Sequence, residues 1–289
     1  MERQLCPCKR VKHDINLGGD DDVTLGLGDN IVIAGFGSDE VSTNNGNDSV
    51  IGDNGQINLV DGVIRTMQST DADRSTAAAD TIHLGAGADR VIAGLDTFTE
   101  ELTETVNGIE LVTTIENDEI TSDSGNTHVI SDNGVLTYNA DGILVNAMAT
   151  ETDRGGDDEV TLGEGDNVVI AGQGADTIIT AGGGDIIMGD NGELNFDDQG
   201  VFVKAESTAI DQGGNDTINA GNGDNRIIAG FGSDEVTTGS GSDVVIGDNG
   251  QVDLIDGVVR VILSTDTENA TAGSDTIKVG SGFDRVIAG

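Results

Sequence analysis

The chain has 289 residues, with 53 acidic side chains against 13 Lys and Arg, a formal net charge of −40, 44 glycines, 2% aromatic residues and no Trp. This excludes an ordinary aromatic-rich globular core, and the charge excludes nucleic acid as a partner, because phosphate would be repelled. Low hydrophobicity at high net charge usually signals disorder. Here, however, Val and Ile recur at a fixed spacing, which disorder does not require, so the chain packs and needs counter-charge. A divalent cation is the expected source.

Residues 1–17 match no repeat. Cys6 and Cys8 are one residue apart, which suits neither a C-x-x-C zinc site nor a staple across a long loop. The segment also lacks the apolar stretch of a secretory signal. No hydrophobic run is long enough for a membrane span.

From Gly18 a nine-residue unit, G-x-G-x-[D/N]-x-V-x-x, places Asp21, Asn30, Asp39 and Asp48 in one row and Val23, Val32, Val41 and Val50 in another. Internal repeats of this kind decide the architecture. The rungs occupy residues 18–50, 78–93, 116–130, 155–188, 213–246 and 273–289. Between them lie five stretches, about 51–77, 94–115, 131–154, 189–212 and 247–272, with alternating apolar and polar residues around an X-Gly dipeptide. Asp61-Gly62 and Asp256-Gly257 are strong hairpin signals, because a type I′ turn needs positive φ at both residues. The others turn near Asn107-Gly108, Asp141-Gly142 and Gln199-Gly200. Residues 18–289 thus form one array. Residues 33–94 align with 228–289 without a gap, with about 40 of 62 positions identical. The array is therefore about one and a half copies of a 195-residue super-repeat. A solenoid normally carries a polar cap at each end. None is recognisable here, so the array is expected to continue or to join end to end.

A nine-residue period with one inward aliphatic fits a short strand and a tight glycine turn. One rung cannot bury its Val, so rungs must stack, two to a coil. Parallel strands buried against one another favour Val and Ile. Stacking also superimposes the acidic turn residues. Calcium takes six to eight oxygen ligands, carboxylate and carbonyl, in irregular geometry, and would turn that repulsion into cross-links.

The unit resembles the G-G-x-G-x-D-x-U-x nonapeptide of the RTX (hemolysin-type) calcium-binding proteins, over eighteen rungs. The resemblance implies an all-β fold, a calcium-stabilised parallel β-roll of about eighteen-residue coils. It also implies multiple Ca²⁺ in the glycine-rich turns, held by turn carbonyls and by Asp21, Asn30, Asp39, Asp48, Asp89, Asp158, Asn167, Asp176, Asp185, Asp216, Asn225, Asp234, Asp243, Asp275 and Asp284. The Asp position is amide in Asn30, Asn167 and Asn225, and hydroxyl in Thr127. At Asp80 and Asp118 the leading glycine is lost, so those turns are expected to bind weakly or differently. Nine turns on each edge leave at most about sixteen inter-coil sites, a calcium charge comparable with the −40 of the chain. The Asp-Asn-Gly at four hairpin bases (Asp53, Asp132, Asp190, Asp248) suits either calcium or a simple Asx turn.

Alternation sorts the rungs onto two edges. The first carries Asp21, Asp39, Asp80, Asp118, Asp158, Asp176, Asp216, Asp234 and Asp275; the second carries Asn30, Asp48, Asp89, Thr127, Asn167, Asp185, Asn225, Asp243 and Asp284. Every hairpin interrupts a turn leading into a first-edge rung, so all five are expected to leave along one edge like barbs. Second-edge strands carry a further aliphatic after the core residue: Ile33, Ile51, Ile92, Ile130, Ile170, Met188, Ile228, Ile246 and Ile287. Strand neighbours point to opposite faces, so this row points outward. An apolar ladder of that length marks an interface, covered by the hairpins or by another copy of the chain.

His13, His83 and His128 share no spacing, and no Ser-His-Asp constellation or phosphate loop is present. The chain is expected not to be an enzyme. The leading reading is an extracellular structural protein, a rod or self-associating filament of a bacterial adhesin, surface layer or matrix. The alternative is the calcium-binding repeat region of a larger secreted enzyme or toxin.

Overall fold

The computed structural model describes residues 18–71, 78–95, 117–266 and 271–289. The N-terminal segment with Cys6, Cys8 and His13, and nearly all of the second predicted hairpin, lie outside those residues. The described residues form 26 strands in three sheets.

Sheet I contains the nine first-edge strands: Asp22–Thr24, Glu40–Ser42, Thr81–Ala86, Glu119–Ser124, Glu159–Glu164, Thr177–Gly182, Thr217–Asn222, Glu235–Thr238 and Thr276–Lys278. Sheet II contains the second-edge strands, from Ile31–Ile33 to Arg285–Ile287. Both are parallel, and each strand pairs with the one two rungs on, so Val160 lies beside Ile178 and Val169 beside Ile187. Two rungs therefore make one coil, as the period predicts. The aliphatic rows meet between the sheets, where Val41, Ile82, Val160, Val169, Ile178 and Ile187 are fully buried. Each such side chain contributes about 1.5–3 kcal/mol of hydrophobic stabilisation. The coils approach so closely at the turns that a Cβ on Gly174, whose φ is +137°, would sit 1.7 Å from the Gly156 carbonyl oxygen. Only glycine fits there.

The four described hairpins leave after a sheet II strand and return before a sheet I strand, all along one edge. Asp61 and Gly62 take φ of 53° and 82°, and Asp256 and Gly257 take 51° and 70°, as a two-residue type I′ turn requires. The third and fourth hairpins use longer loops. There the Asn139 and Asp197 carboxamide and carboxylate accept the N–H groups of Asp141 and Gln199, each at 2.9 Å.

The hairpins do not project singly as barbs. They join into sheet III, eight antiparallel strands. The physical reason is edge pairing: an isolated two-stranded hairpin is marginal and exposes two rows of unpaired N–H and C=O. Successive hairpins remove that exposure by pairing Leu136 with Met67, Ala147 with Leu194 and Ala205 with Val252. The inner face of sheet III then covers the outward row of sheet II. Ile51, Ile92, Ile130, Ile170, Met188, Ile228 and Ile246 are at most 1% exposed, packed in a second core with Met67, Leu136, Leu194 and Val252. The cover is thus the chain's own hairpins. The outer face of sheet I is mostly polar, with Ser42, His83, Thr121, Thr161, Asn219, Thr237 and Lys278 in the equivalent positions and a single aliphatic, Ile179, among them.

Candidate metal centre

The turns stack, and that stacking builds a ladder. On the first edge each Asp side chain accepts the backbone N–H of the Asp one coil earlier. Asp39 Oδ1 binds Asp21 N at 2.7 Å, Asp80 binds Asp39 N at 2.8 Å, and Asp118 binds Asp80 N at 2.6 Å. Asp158, Asp176, Asp216, Asp234 and Asp275 continue the series at 2.9, 2.8, 2.9, 2.8 and 3.1 Å. The ladder passes unbroken through Asp80 and Asp118, although both lack the leading glycine of the motif. Sequence context alone left these two out of the ligand set.

One carboxylate oxygen is used by the ladder. The other, on Asp80, Asp176, Asp216, Asp234 and Asp275, is buried without a hydrogen-bond partner. An orphaned, buried carboxylate oxygen is strongly unfavourable unless something positive reaches it. The hairpin-base residues Asp53, Asp132, Asp190 and Asp248 join the same edge and are at most 2% exposed. They are held by backbone N–H donors: Leu95 to Asp53 and Gly273 to Asp248, each 2.7 Å, Gln173 to Asp132 at 2.6 Å, and Gly214 to Asp190 at 3.0 Å. They are therefore buried members of the acidic column, beyond a local Asx turn.

Burial, with neighbouring carboxylates second, pushes this column up in pKa. Asp53 rises to about 8 and Asp234 to about 7. Asp80, Asp118, Asp176 and Asp216 rise well above the ordinary value for the same reasons.

The second edge differs. Asp48, Asp185 and Asp243 accept the backbone N–H of Asn30, Asn167 and Asn225 at 2.8, 2.9 and 2.9 Å. Asp48 and Asp243 in turn donate their N–H to Asp89 and Asp284 at 2.9 and 3.1 Å. Thr127 sits in the row without a carboxylate, its hydroxyl 3.2 Å from Ser122 Oγ. Where the first edge leaves oxygens orphaned, Asp185 and Asp243 each receive a hydroxyl, from Thr180 and Thr238, at 2.7 Å; Asp48 receives none, and its Oδ2 is buried without a partner.

The family model described as "RTX calcium-binding nonapeptide repeat (4 copies)" matches residues 24–56, 74–97, 154–193, 210–245 and 269–289, together more than half of the chain. The chain belongs to the RTX calcium-binding repeat family. No curated protein matches it. The RTX assignment makes the chain a calcium-binding repeat protein, of a family whose repeats typically occur in secreted proteins.

The first edge of this RTX roll fits calcium. Its orphaned oxygens are hard donors, and Ca²⁺ takes carboxylate and carbonyl oxygens together. Among the described residues no three His, Cys, Asp or Glu side chains converge as a metal-holding group, so a site here draws on Asp with turn carbonyls. Bound calcium would supply the positive charge that the buried column lacks. The chain's own residues set the rest: Oδ1 fixes each carboxylate to the neighbouring coil, and the hairpin-base glycines leave room for Oδ2. A Cβ on Gly189 would lie 2.2 Å from Asp216 Oδ2 and 2.3 Å from the Ala229 carbonyl oxygen. Gly189→Ala is therefore expected to raise the calcium concentration needed for folding at least tenfold, read by circular dichroism. An unchanged midpoint would show that the turn tolerates the methyl group.

The pKa directions set a pH dependence. Unfolded Asp titrates near about 3.9. Folded Asp234 and Asp53 titrate near about 7 and about 8. Between these limits the calcium-free folded chain holds more protons than the unfolded chain, so its stability falls as pH rises. In chelator a melting transition is therefore expected at pH 5 and none at pH 8, where the calcium-free chain is already unfolded. In excess calcium the melting temperature should instead be higher at pH 8 than at pH 5, because ligation requires deprotonated carboxylates. Equal melting transitions at the two pH values in chelator would contradict the buried column.

The remaining histidines have structural surroundings. His128 is half-buried beside Arg90 and Tyr138, and desolvation with the nearby Arg90 charge lowers its pKa to about 3. His83 Nδ1 lies 2.8 Å from the Thr121 hydroxyl on sheet I.

Proposed function

We propose that the chain is a non-catalytic structural element of the cell exterior, a calcium-locked rod that associates with further copies of its own repeat. The observation that carries this is the continuity of all three sheets along one stacking direction. Nothing separates a catalytic unit from a repeat unit within the described residues; roll and hairpins share the second core. Among the described residues the outermost strands of each sheet pair on one side only. The last hairpin strand exposes Val258, Val261 and Leu263, and the last coil exposes Phe283 and Val286. In the body of the molecule the equivalent strand, Val63–Ser69, is covered by pairing with Gly134–Tyr138. A further copy of the repeat, in the same or another chain, supplies the matching surface. Among the described residues no helix is long and apolar enough to cross a membrane. Weak multiple sites of this type fill at the millimolar calcium found outside cells.

Negative-stain microscopy tests the proposal. Linear assemblies in calcium that disperse in chelator are the expected result. Monodisperse particles in both conditions would overturn self-association and favour a repeat region serving a larger secreted enzyme or toxin.

A further inference from the structure

Three turns on the second edge are already filled. Asn30 Nδ2 donates to the carbonyl oxygens of Gly26 and Gly28, at 3.1 and 2.6 Å, and to Asp48 Oδ1 at 2.8 Å. Asn167 Nδ2 repeats this with Gly163, Gly165 and Asp185 Oδ1, at 3.4, 3.1 and 3.0 Å. Asn225 Nδ2 reaches the carbonyl oxygens of Ala220 and Gly223 at 3.0 and 3.1 Å. The acceptors are turn carbonyls and, in the first two cases, the carboxylate of the next coil. That is the donor set calcium would use: neutral carbonyl oxygens of one turn with a carboxylate from its neighbour.

We propose that the Asn30, Asn167 and Asn225 amides replace calcium in their own turns, so that calcium is held asymmetrically, chiefly along the first edge. The proposal rests on the calcium reading of the first edge and adds which turns do without the ion. An amide N–H₂ has two donors and no charge to neutralise. Placed between carbonyls and a carboxylate, it satisfies acceptors that would otherwise be buried without partners. It also occupies the space into which an ion would have to move. Its own Oδ1 stays in the ladder: Asn167 accepts Thr127 N–H, and Asn225 accepts Asp185 N–H, both at 3.1 Å.

Two further observations bear on the edges. The Thr180 and Thr238 hydroxyls satisfy the second oxygens of Asp185 and Asp243, whereas the corresponding oxygens of Asp80, Asp176 and Asp216 have no partner; on the second edge Asp48, which receives no such hydroxyl, also leaves its second oxygen without one. The first edge is also Asp in all nine rungs, while the second interposes a neutral residue at four of nine. The Asp preceding each Asn does not restore a site. Asp29, Asp166 and Asp224 each accept a backbone N–H from the next coil, at 2.9, 2.7 and 2.7 Å, on the exposed side of the turn.

Replacing the amide by a carboxylate should open the turn to the ion. The full chain and the variant N30D/N167D/N225D would be saturated with calcium and desalted, and bound calcium counted per chain by mass spectrometry. The triple variant is expected to bind up to three more ions than the unsubstituted chain, and Asn167→Asp alone up to one more. Asn167→Ala, which removes the amide and adds no carboxylate, is expected to bind the same number as the unsubstituted chain while unfolding at lower denaturant in excess calcium. An unchanged count in the Asp variants, or calcium lost in Asn167→Ala, would overturn the proposal, the latter by making Asn167 a ligand. An unsubstituted chain that bound no calcium would refute the calcium reading of the first edge instead.

Discussion

Removing calcium at pH 7.5 is expected to unfold the chain, and returning calcium to refold it. The five orphaned first-edge oxygens identify the sites whose loss matters most. A ligand bound only to the folded state at a hundred times its dissociation constant contributes about 2.7 kcal/mol. Several such sites together reach on the order of 10 kcal/mol, the size of the whole stability of an ordinary domain. Without the ion, carboxylates that burial and mutual repulsion have already pushed up in pKa must ionise beside one another at neutral pH. Circular dichroism during a chelator titration should show a cooperative loss of β structure. Magnesium should restore it poorly, because Mg²⁺ demands stricter octahedral geometry and keeps its water. A chain that keeps its strands in excess chelator at pH 7.5 would show that the ladder hydrogen bonds suffice.

Ile170→Ala is expected to destabilise the folded protein by about 2–5 kcal/mol, the usual result of deleting a buried aliphatic. Ile179→Ala should change stability by less than about 0.5 kcal/mol, as substitutions on an open face do. Each residue follows the inward aliphatic of its strand, so from the rung alone they are equivalent. They differ in what lies outside the roll. Ile170 is fully buried under sheet III, while Ile179 on sheet I is 38% exposed. Denaturant unfolding of both variants in excess calcium measures the difference. Equal effects would mean that the hairpin sheet is not a packed layer in solution.

These two residues also mark how much was legible in the sequence. The nine-residue period placed every described strand of sheets I and II, because inward Val and Ile are the only local way to bury a rung. The outward row, Ile51 to Ile246, was legible as an interface from strand alternation. Its cover was not, since nothing local distinguishes a hairpin that folds back from a second chain. Hairpin positions followed from their turn residues. Their merger into one sheet did not, because the pairing of Leu136 with Met67 joins strands almost seventy residues apart.

In the metal centre the limits were chemical. Motif context set Asp80 and Asp118 aside, yet both stand in the ladder, because a ladder rung needs a carboxylate at the right height and not a leading glycine. Asp53, Asp132, Asp190 and Asp248 were ambiguous as a tripeptide. Their partners, such as Leu95 and Gln173, lie about forty residues away. Asn30, Asn167 and Asn225 matched the motif position and so entered the ligand set. Only the direction of their amide hydrogens, toward the turn carbonyls, sets them apart from Asp.

The central claim is that calcium is held by the buried first-edge carboxylates. Crystallographic anomalous scattering from calcium tests it most directly. The account predicts anomalous peaks between successive coils on the first edge, beside Asp80, Asp176, Asp216 and Asp234, and none in the turns filled by the Asn30, Asn167 and Asn225 amides. Folded protein from calcium-rich solution with no peaks on the first edge, or with peaks confined to the second, would contradict it.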